Sequence, residues 1–215
     1  MGLVFWLGGR AGGLTMPRQN RVMPTGEVVV HPARGLFMGN RGILHDRAGQ
    51  LGRARWRHPH WITCQTAFRG RKRTLMAPRA YTELFFLDEA VACAAGHRPC
   101  AECRRADYRA FAEAWAGVFG RSTAAEIDRA LHAARIDGRG QRRHLADAQA
   151  LPDGAMVLIM DQPHLIRSGR ALPFFPDGYG PPIALPQAFV TVLTPAPTVA
   201  VMAAGWQPAL HPSAG

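Results

Sequence analysis

Gly96-His97-Arg98-Pro99-Cys100-Ala101-Glu102-Cys103 is the stretch on which the reading of this chain turns. Glycine closes one helix candidate, and proline stands where a second helix can begin, since its missing N–H costs nothing in a first turn. Two cysteines three residues apart in that turn aim both thiols at one point, which is half of a tetrahedral zinc site. A helix N-terminus also favours the thiolate form. A redox pair is the competing use of Cys-x-x-Cys, but no βαβ pattern precedes it. The chain has only two other cysteines, Cys64 and Cys93. The metal question is therefore which thiols or histidines complete the set.

Outward from this stretch, Asp88 caps a short helix expected to run through Ala95, and Tyr81–Phe86 is β-prone and aromatic. Downstream, Tyr108, Phe111, Ala112 and Trp115 fall at helical spacing and make one apolar stripe. Thr123-Ala-Ala-Glu126 is a capping box that opens a further helix with Ile127, Leu131 and Ala134 facing inward, and Arg135–Arg143 reads as a polar loop. Upstream, Glu27–Val30, two segments flanking the Gly39-Asn40-Arg41-Gly42 turn, and Trp61–Cys64 with Ala67-Phe68 read as strands. Past Pro152 the texture changes: Ala155–Met160, Leu165–Arg167, Ala188–Leu193 and Thr198–Met202 read as strands between Pro and Gly turns. The expected fold is α+β. Residues 1–19 read as a disordered leader, 20–120 as a small mixed zinc-binding lobe, 121–150 as a helical connector and 151–215 as a β-rich C-terminal lobe.

A hydrophobic content of 47% with 19% charged residues excludes a disordered chain. No apolar run reaches the roughly 20 residues of a membrane helix, so no membrane partner and a cytoplasmic location are expected. The formal charge of +11 is uneven: residues 1–150 hold 24 of the 26 Lys and Arg against 12 of the 15 acids. From Arg53 to Arg73 there are seven positive residues and no acid, with Trp56 and Trp61 interleaved. Such a segment attracts phosphates and offers faces for stacking bases. Arg- and Ala-rich usage without any ligand explains the same charge, and Lys72 is the only lysine. Candidate nucleic-acid contacts are Arg41, Arg69, Arg71, Lys72, Arg73 and Arg104. Arg41 is equally readable as the solvated neighbour of a turn asparagine.

Phe85-Phe86-Leu87-Asp88-Glu89-Ala90 followed by Ala94-Ala95-Gly96-His97-Arg98-Pro99-Cys100-Ala101-Glu102-Cys103-Arg104 resembles the zinc-binding N-terminal domain of bacterial Ada DNA-repair proteins. The aligned stretch is about twenty residues, with a looser match back to Cys64. The resemblance implies Zn2+ on Cys64, Cys100 and Cys103 in a domain that touches DNA backbone. Ada-type domains carry a second cysteine four residues after the first, and Phe68 stands there in this chain. Methyl-acceptor repair therefore does not carry over. Residues 19–211 as a whole also look like an uncharacterised bacterial family, which supplies no mechanism.

The fourth ligand stays open among His45, Cys93, another histidine and water. Cys93 lies on the short helix and reads better as a core thiol. His97 sits too near Cys100 in the chain to share its ion, and His58 and His60 read as solvent or phosphate contacts. Three functions compete. The first is a zinc-stabilised nucleic-acid-binding protein, with DNA favoured over RNA, acting on damaged or modified DNA. The second is a zinc-dependent hydrolase or deaminase with an open metal position, in which His45 and Glu83 do acid/base work. The His-x-Glu of zinc deaminases is absent from the sequence. The third is a structural zinc module with a protein partner. Whether the chain is an enzyme is open at this stage.

Overall fold

A computed structural model describes residues 16–70, 74–138 and 140–215. Most of the expected leader, and Arg71, Lys72 and Arg73 of the expected nucleic-acid set, lie outside the described residues. The fold is α+β, with two sheets and four helices among those residues.

The first sheet is built from β1 (Gln19–Val22), β2 (Val28–Val30), β3 (Phe37–Asn40), β4 (Ile62–Gln65), β5 (Leu84–Phe86) and, beyond α1 (Glu89–Ala94), β6 (Arg98–Pro99). Its spatial order is β2-β1-β5-β3-β4-β6. The β1–β5 and β4–β6 pairs are parallel, and the other pairs are antiparallel. Then come α2 (Arg105–Phe119), α3 (Ala124–Arg135) and a hairpin of β7 (Ile136–Asp137) with β8 (Gly140–Gln141). The second sheet takes β9 (His144–Asp147), β10 (Met156–Ile159), β11 (Gln162–Arg167), β12 (Arg170–Phe175), β13 (Gly178–Tyr179), β14 (Ile183–Ala184) and β15 (Phe189–Val192). It is antiparallel throughout, and α4 (Ala196–Ala203) follows it. The β10–β11 and β11–β12 hairpins each turn through two residues of positive φ, Met160-Asp161 and Ser168-Gly169, the conformation that matches strand twist.

Helix α1 is buried along its whole length, and one hydrophobic cluster joins its alanines to Leu84 and Phe86 of the first sheet and to Met156, Leu165 and Leu172 of the second. Two acids open this helix. Buried carboxylates are costly unless every lone pair finds a donor. Asp88 accepts from the Val91 N–H at 2.9 Å, the Tyr179 hydroxyl at 2.9 Å and the His211 N–H at 3.0 Å. Glu89 accepts from Arg104 and from the Ala209 N–H. The expected helix cap at Asp88 is thus also the bolt that holds the C-terminal segment to α1.

Several expectations need correcting. Pro99 does not start a helix: it pairs with Thr63 in the parallel β4–β6 ladder, and Cys100–Arg104 forms a turn closed by the Arg104 N–H to the Cys100 carbonyl at 3.2 Å. Thr198–Met202 is helical rather than extended, because Pro195 and Pro197 preset the first turn and Val201 and Met202 pack beside Phe111 and Trp115 of α2. Ala67-Phe68 forms no strand, and Arg135–Arg143 contains the β7–β8 hairpin. The stretch read as connector supplies β9, and β12 lies in a segment read as turns. The capping box at Thr123 and the buried stripe at Phe111 and Trp115 stand as expected. Among the described residues no helix is long and apolar enough to cross a membrane.

Candidate metal centre

Parallel pairing of β4 with β6 places Cys64 beside Cys100. The Cys100 N–H donates to the Thr63 carbonyl at 3.0 Å, one residue before Cys64, and the following turn swings Cys103 back toward both. The three sulfur atoms lie within 4.8 Å of one another. Zn–S bonds of about 2.3 Å at tetrahedral angles need sulfurs roughly 3.8 Å apart, so the trio fits zinc with small side-chain adjustments. It is the single group of three or more metal-donor side chains among the described residues. The remaining residues, 1–15, 71–73 and 139, include no His, Cys, Asp or Glu. The chain therefore brings three ligands together here, not four.

The protons on these sulfurs are unequal. The Cys100 thiol is pushed down to about 5, chiefly by the hydrogen bond it receives from Cys64 and then by backbone N–H groups of the turn, against the effect of burial. One of those donors is the Glu102 N–H, 3.4 Å from Cys100 Sγ. Cys64 is pushed up because it is the donor to Cys100 and because it is buried, and burial also raises Cys103. One thiolate is thus stabilised by the protein alone. Removing the other two protons requires a cation between the sulfurs.

The trio lines a cavity of about 270 Å³ whose wall includes Asn40, Glu83, Leu75 and Phe85. Glu83 is 1% exposed, and its Oε2 accepts from the Met76 N–H at 2.7 Å. Its Oε1 is buried with no hydrogen-bond partner. A buried carboxylate oxygen without a donor is rare in a folded protein and marks a place where a proton, water or ligand belongs. Gly39 sets the floor beneath Asn40: a side chain there would lie 2.3 Å from the Ile62 carbonyl and 3.1 Å from His97 Nδ1, so only glycine lets β3, β4 and His97 close up.

The other expected residues are scattered. His45 bonds to Thr82 Oγ1 at 2.7 Å and to the Ala77 carbonyl at 3.2 Å, and it lines a separate cavity with Gly42 and Arg57. It neither completes the thiol group nor shares a cavity with Glu83, because Thr82 and Glu83 are consecutive in an extended segment and face different sides. Cys93 is a core thiol packed with Phe111, Ile127 and Leu131. His97 is buried between the Arg41 Nε–H, which it accepts, and the Ile62 carbonyl. His60 pairs with Asp128 at 2.8 Å.

Of the expected nucleic-acid contacts, Arg69 is exposed. Arg104 is withdrawn from any phosphate: it is 4% exposed, held on both oxygens of Glu89 and set 4.4 Å over the Phe37 ring. Arg41 is 2% exposed and lies 4.1 Å from the centre of the Trp61 ring. Arg135, absent from the sequence reading, is buried beside it. Its signal was the spacing of Ile127, Leu131 and Arg135, which places a cation in the inward stripe of α3. Comparison with protein-family models, with curated proteins and with solved structures returns no match.

Proposed function

We propose that this chain is a zinc-dependent enzyme that adds water to a C–N or C–O bond of a small, partly apolar substrate. The observation that carries this reading is the shared cavity: three thiols converge without a fourth protein ligand, and the unpartnered Glu83 carboxylate lines the same space. Cys64, Cys100 and Cys103 would hold the ion. When bound, zinc supplies Lewis-acid polarisation at its open position. Glu83 takes and returns a proton at Oε1, while the Met76 N–H on Oε2 keeps the carboxylate oriented. Asn40 offers an amide to a polar substrate group, and Leu75 and Phe85 exclude water around it.

The test uses cobalt-substituted and zinc-loaded protein. Azide or a small thiol is expected to shift the cobalt absorption bands, reporting an exchangeable fourth ligand. Screening of amides, esters and amino-substituted heterocycles is expected to find turnover that falls about 10²- to 10⁴-fold in Glu83→Gln while one metal ion per chain is retained. A cobalt spectrum indifferent to added ligands, or metal-free protein of undiminished stability, would sink the reading.

A second reading is supported by the exposed Arg53, Arg55, Arg57 and Arg69. In it zinc is structural and the protein binds nucleic acid, DNA in preference to RNA. Its test is DNA affinity that falls steeply with salt and drops when Arg69, Arg71, Lys72 and Arg73 are neutralised.

A further inference from the structure

Asn40 and Ile62 line the thiol cavity, while the next residues along the chain, Arg41 and Trp61, line a different one of about 120 Å³. Two guanidinium groups meet there on one indole. The Arg41 and Arg135 carbons lie 4.1 and 3.8 Å from the Trp61 ring centre, and each residue is only 2% exposed. Gly96 makes this approach possible, since a Cβ there would stand 2.4 Å from Arg135 Cδ. Buried cations ordinarily face carboxylates. Among the described residues neither arginine forms an ion pair: Asp128, the nearest candidate on α3, is taken by Arg98 and His60.

Their hydrogen bonds are incomplete as well. Arg41 donates to His97 Nε2 and to the Gly26 and Ala95 carbonyls, which leaves two of five N–H groups unused. Arg135 donates to the Gly96 and Pro59 carbonyls and to His132, and its buried Nε has no partner. Arg55, exposed, adds a third guanidinium to the wall. The one carboxylate lining the cavity, Glu27, is exposed, accepts from Thr25 and pairs with neither buried arginine. Burial first, and then the neighbouring arginines, hold Arg41 down to about 9 and Arg135 down to about 8.

We propose that this cavity is a binding site for a phosphate dianion, either inorganic phosphate or the terminal phosphate of a monoester. A dianion balances two buried cations, supplies acceptors to the unused N–H groups and suits the small volume, with Arg55 closing over it from the rim. The internal phosphodiester of a duplex cannot reach guanidiniums buried this deeply. The site is independent of the metal and of the catalytic reading.

The test measures melting temperature and calorimetric binding of the zinc-loaded full chain with inorganic phosphate, against chloride at equal ionic strength. Phosphate is expected to raise the melting temperature in proportion to the logarithm of its concentration. Arg55→Ala, a surface change that leaves the fold intact, is expected to weaken phosphate binding about tenfold, the worth of one charge-assisted contact. Arg53→Ala, exposed and outside the cavity, is expected to leave it within about twofold. A nucleoside monophosphate and an oligonucleotide with or without a 5′-phosphate identify the source. Binding of the monophosphate marks a small metabolite, and tighter binding of the phosphorylated oligonucleotide marks a nucleic-acid end. No stabilisation beyond chloride, equal responses of the Arg55 and Arg53 variants, or indifference to the 5′-phosphate together with no binding of free phosphate would overturn the proposal.

Discussion

The thiol cavity and the arginine cavity share strands β3 and β4, yet they carry opposite deficits. In the first, three sulfurs and a carboxylate oxygen lack a cation or a proton; in the second, two buried guanidiniums lack an anion. Consecutive residues, Asn40 with Arg41 and Trp61 with Ile62, serve one cavity each. The contrast teaches that the sign of the unbalanced charge, rather than the shape of a pocket, tells which ligand a site is built to take. Buried polar groups are almost always paired, so a group left over on each side points to its missing partner.

The comparison breaks if the two regions prove to be one. Cys100→Ser is the strongest probe. It is expected to lower zinc affinity by more than the roughly 100-fold that loss of an outer partner costs, and to leave the phosphate-induced rise in melting temperature unchanged. Loss of both responses in that variant, by zinc analysis and thermal melting, would show that the metal supports the arginine cavity as well.

Arg135→Met probes the other side. It strips donors from the Gly96 and Pro59 carbonyls and should cost about 1–3 kcal/mol by denaturant unfolding, while relieving the repulsion on Arg41. In phosphate the gap from the native chain should widen, because only the native chain gains from the ligand. A gap that narrows would argue that no anion binds between the arginines.

His97 joins the two cavities electrostatically, and its titration sharpens the comparison. Burial, and next the Arg41 charge, hold its pKa well below 6.5, and its Nε2 must stay unprotonated to accept from Arg41. A depressed folded pKa means that the unfolded chain binds the extra proton. The stability is therefore fully present above pH 6.5 and is lost as pH falls below it, at a rate approaching about 1.4 kcal/mol per pH unit. Since zinc on thiolates also dissociates in acid, the slope is read as the difference between the native chain and His97→Asn at matched zinc. Equal slopes would remove His97 from the account.

The smallest effect is expected at Thr123, the cap at the far end of the helix that carries Arg135. Thr123→Ala removes the bond from the Glu126 N–H and should cost about 1 kcal/mol of stability, with zinc and phosphate affinities unchanged. A change in phosphate affinity would show that the arginine cavity depends on where α3 begins.

Local chemistry was legible wherever partners lie within one turn of each other. Asp88 and Thr123 announced their helices, and Phe111 and Trp115 announced the buried face of α2. Cys100 and Cys103 announced a metal half-site. The misreadings fall where a distant neighbour decides. Thr198–Met202 has strand-like composition, but the prolines before it and the aromatic residues of α2 make it a helix. Pro99 suits a helix start, but the free edge of β4 captures it. Arg104 looked like a phosphate contact beside the cysteines, and the buried Glu89 took it instead.

From the sequence alone came the ligand type, the two clustered thiols, the helix caps and the basic excess, because each depends on residue identity and on separations of a few positions. Tertiary structure alone placed Cys64 at the metal point, put Glu83 in that cavity and His45 outside it, and left Arg41 and Arg135 buried without an acid. Those outcomes depend on desolvation and on charges summed through space. Residues far apart in the chain acquire such energies only after the sheets have closed.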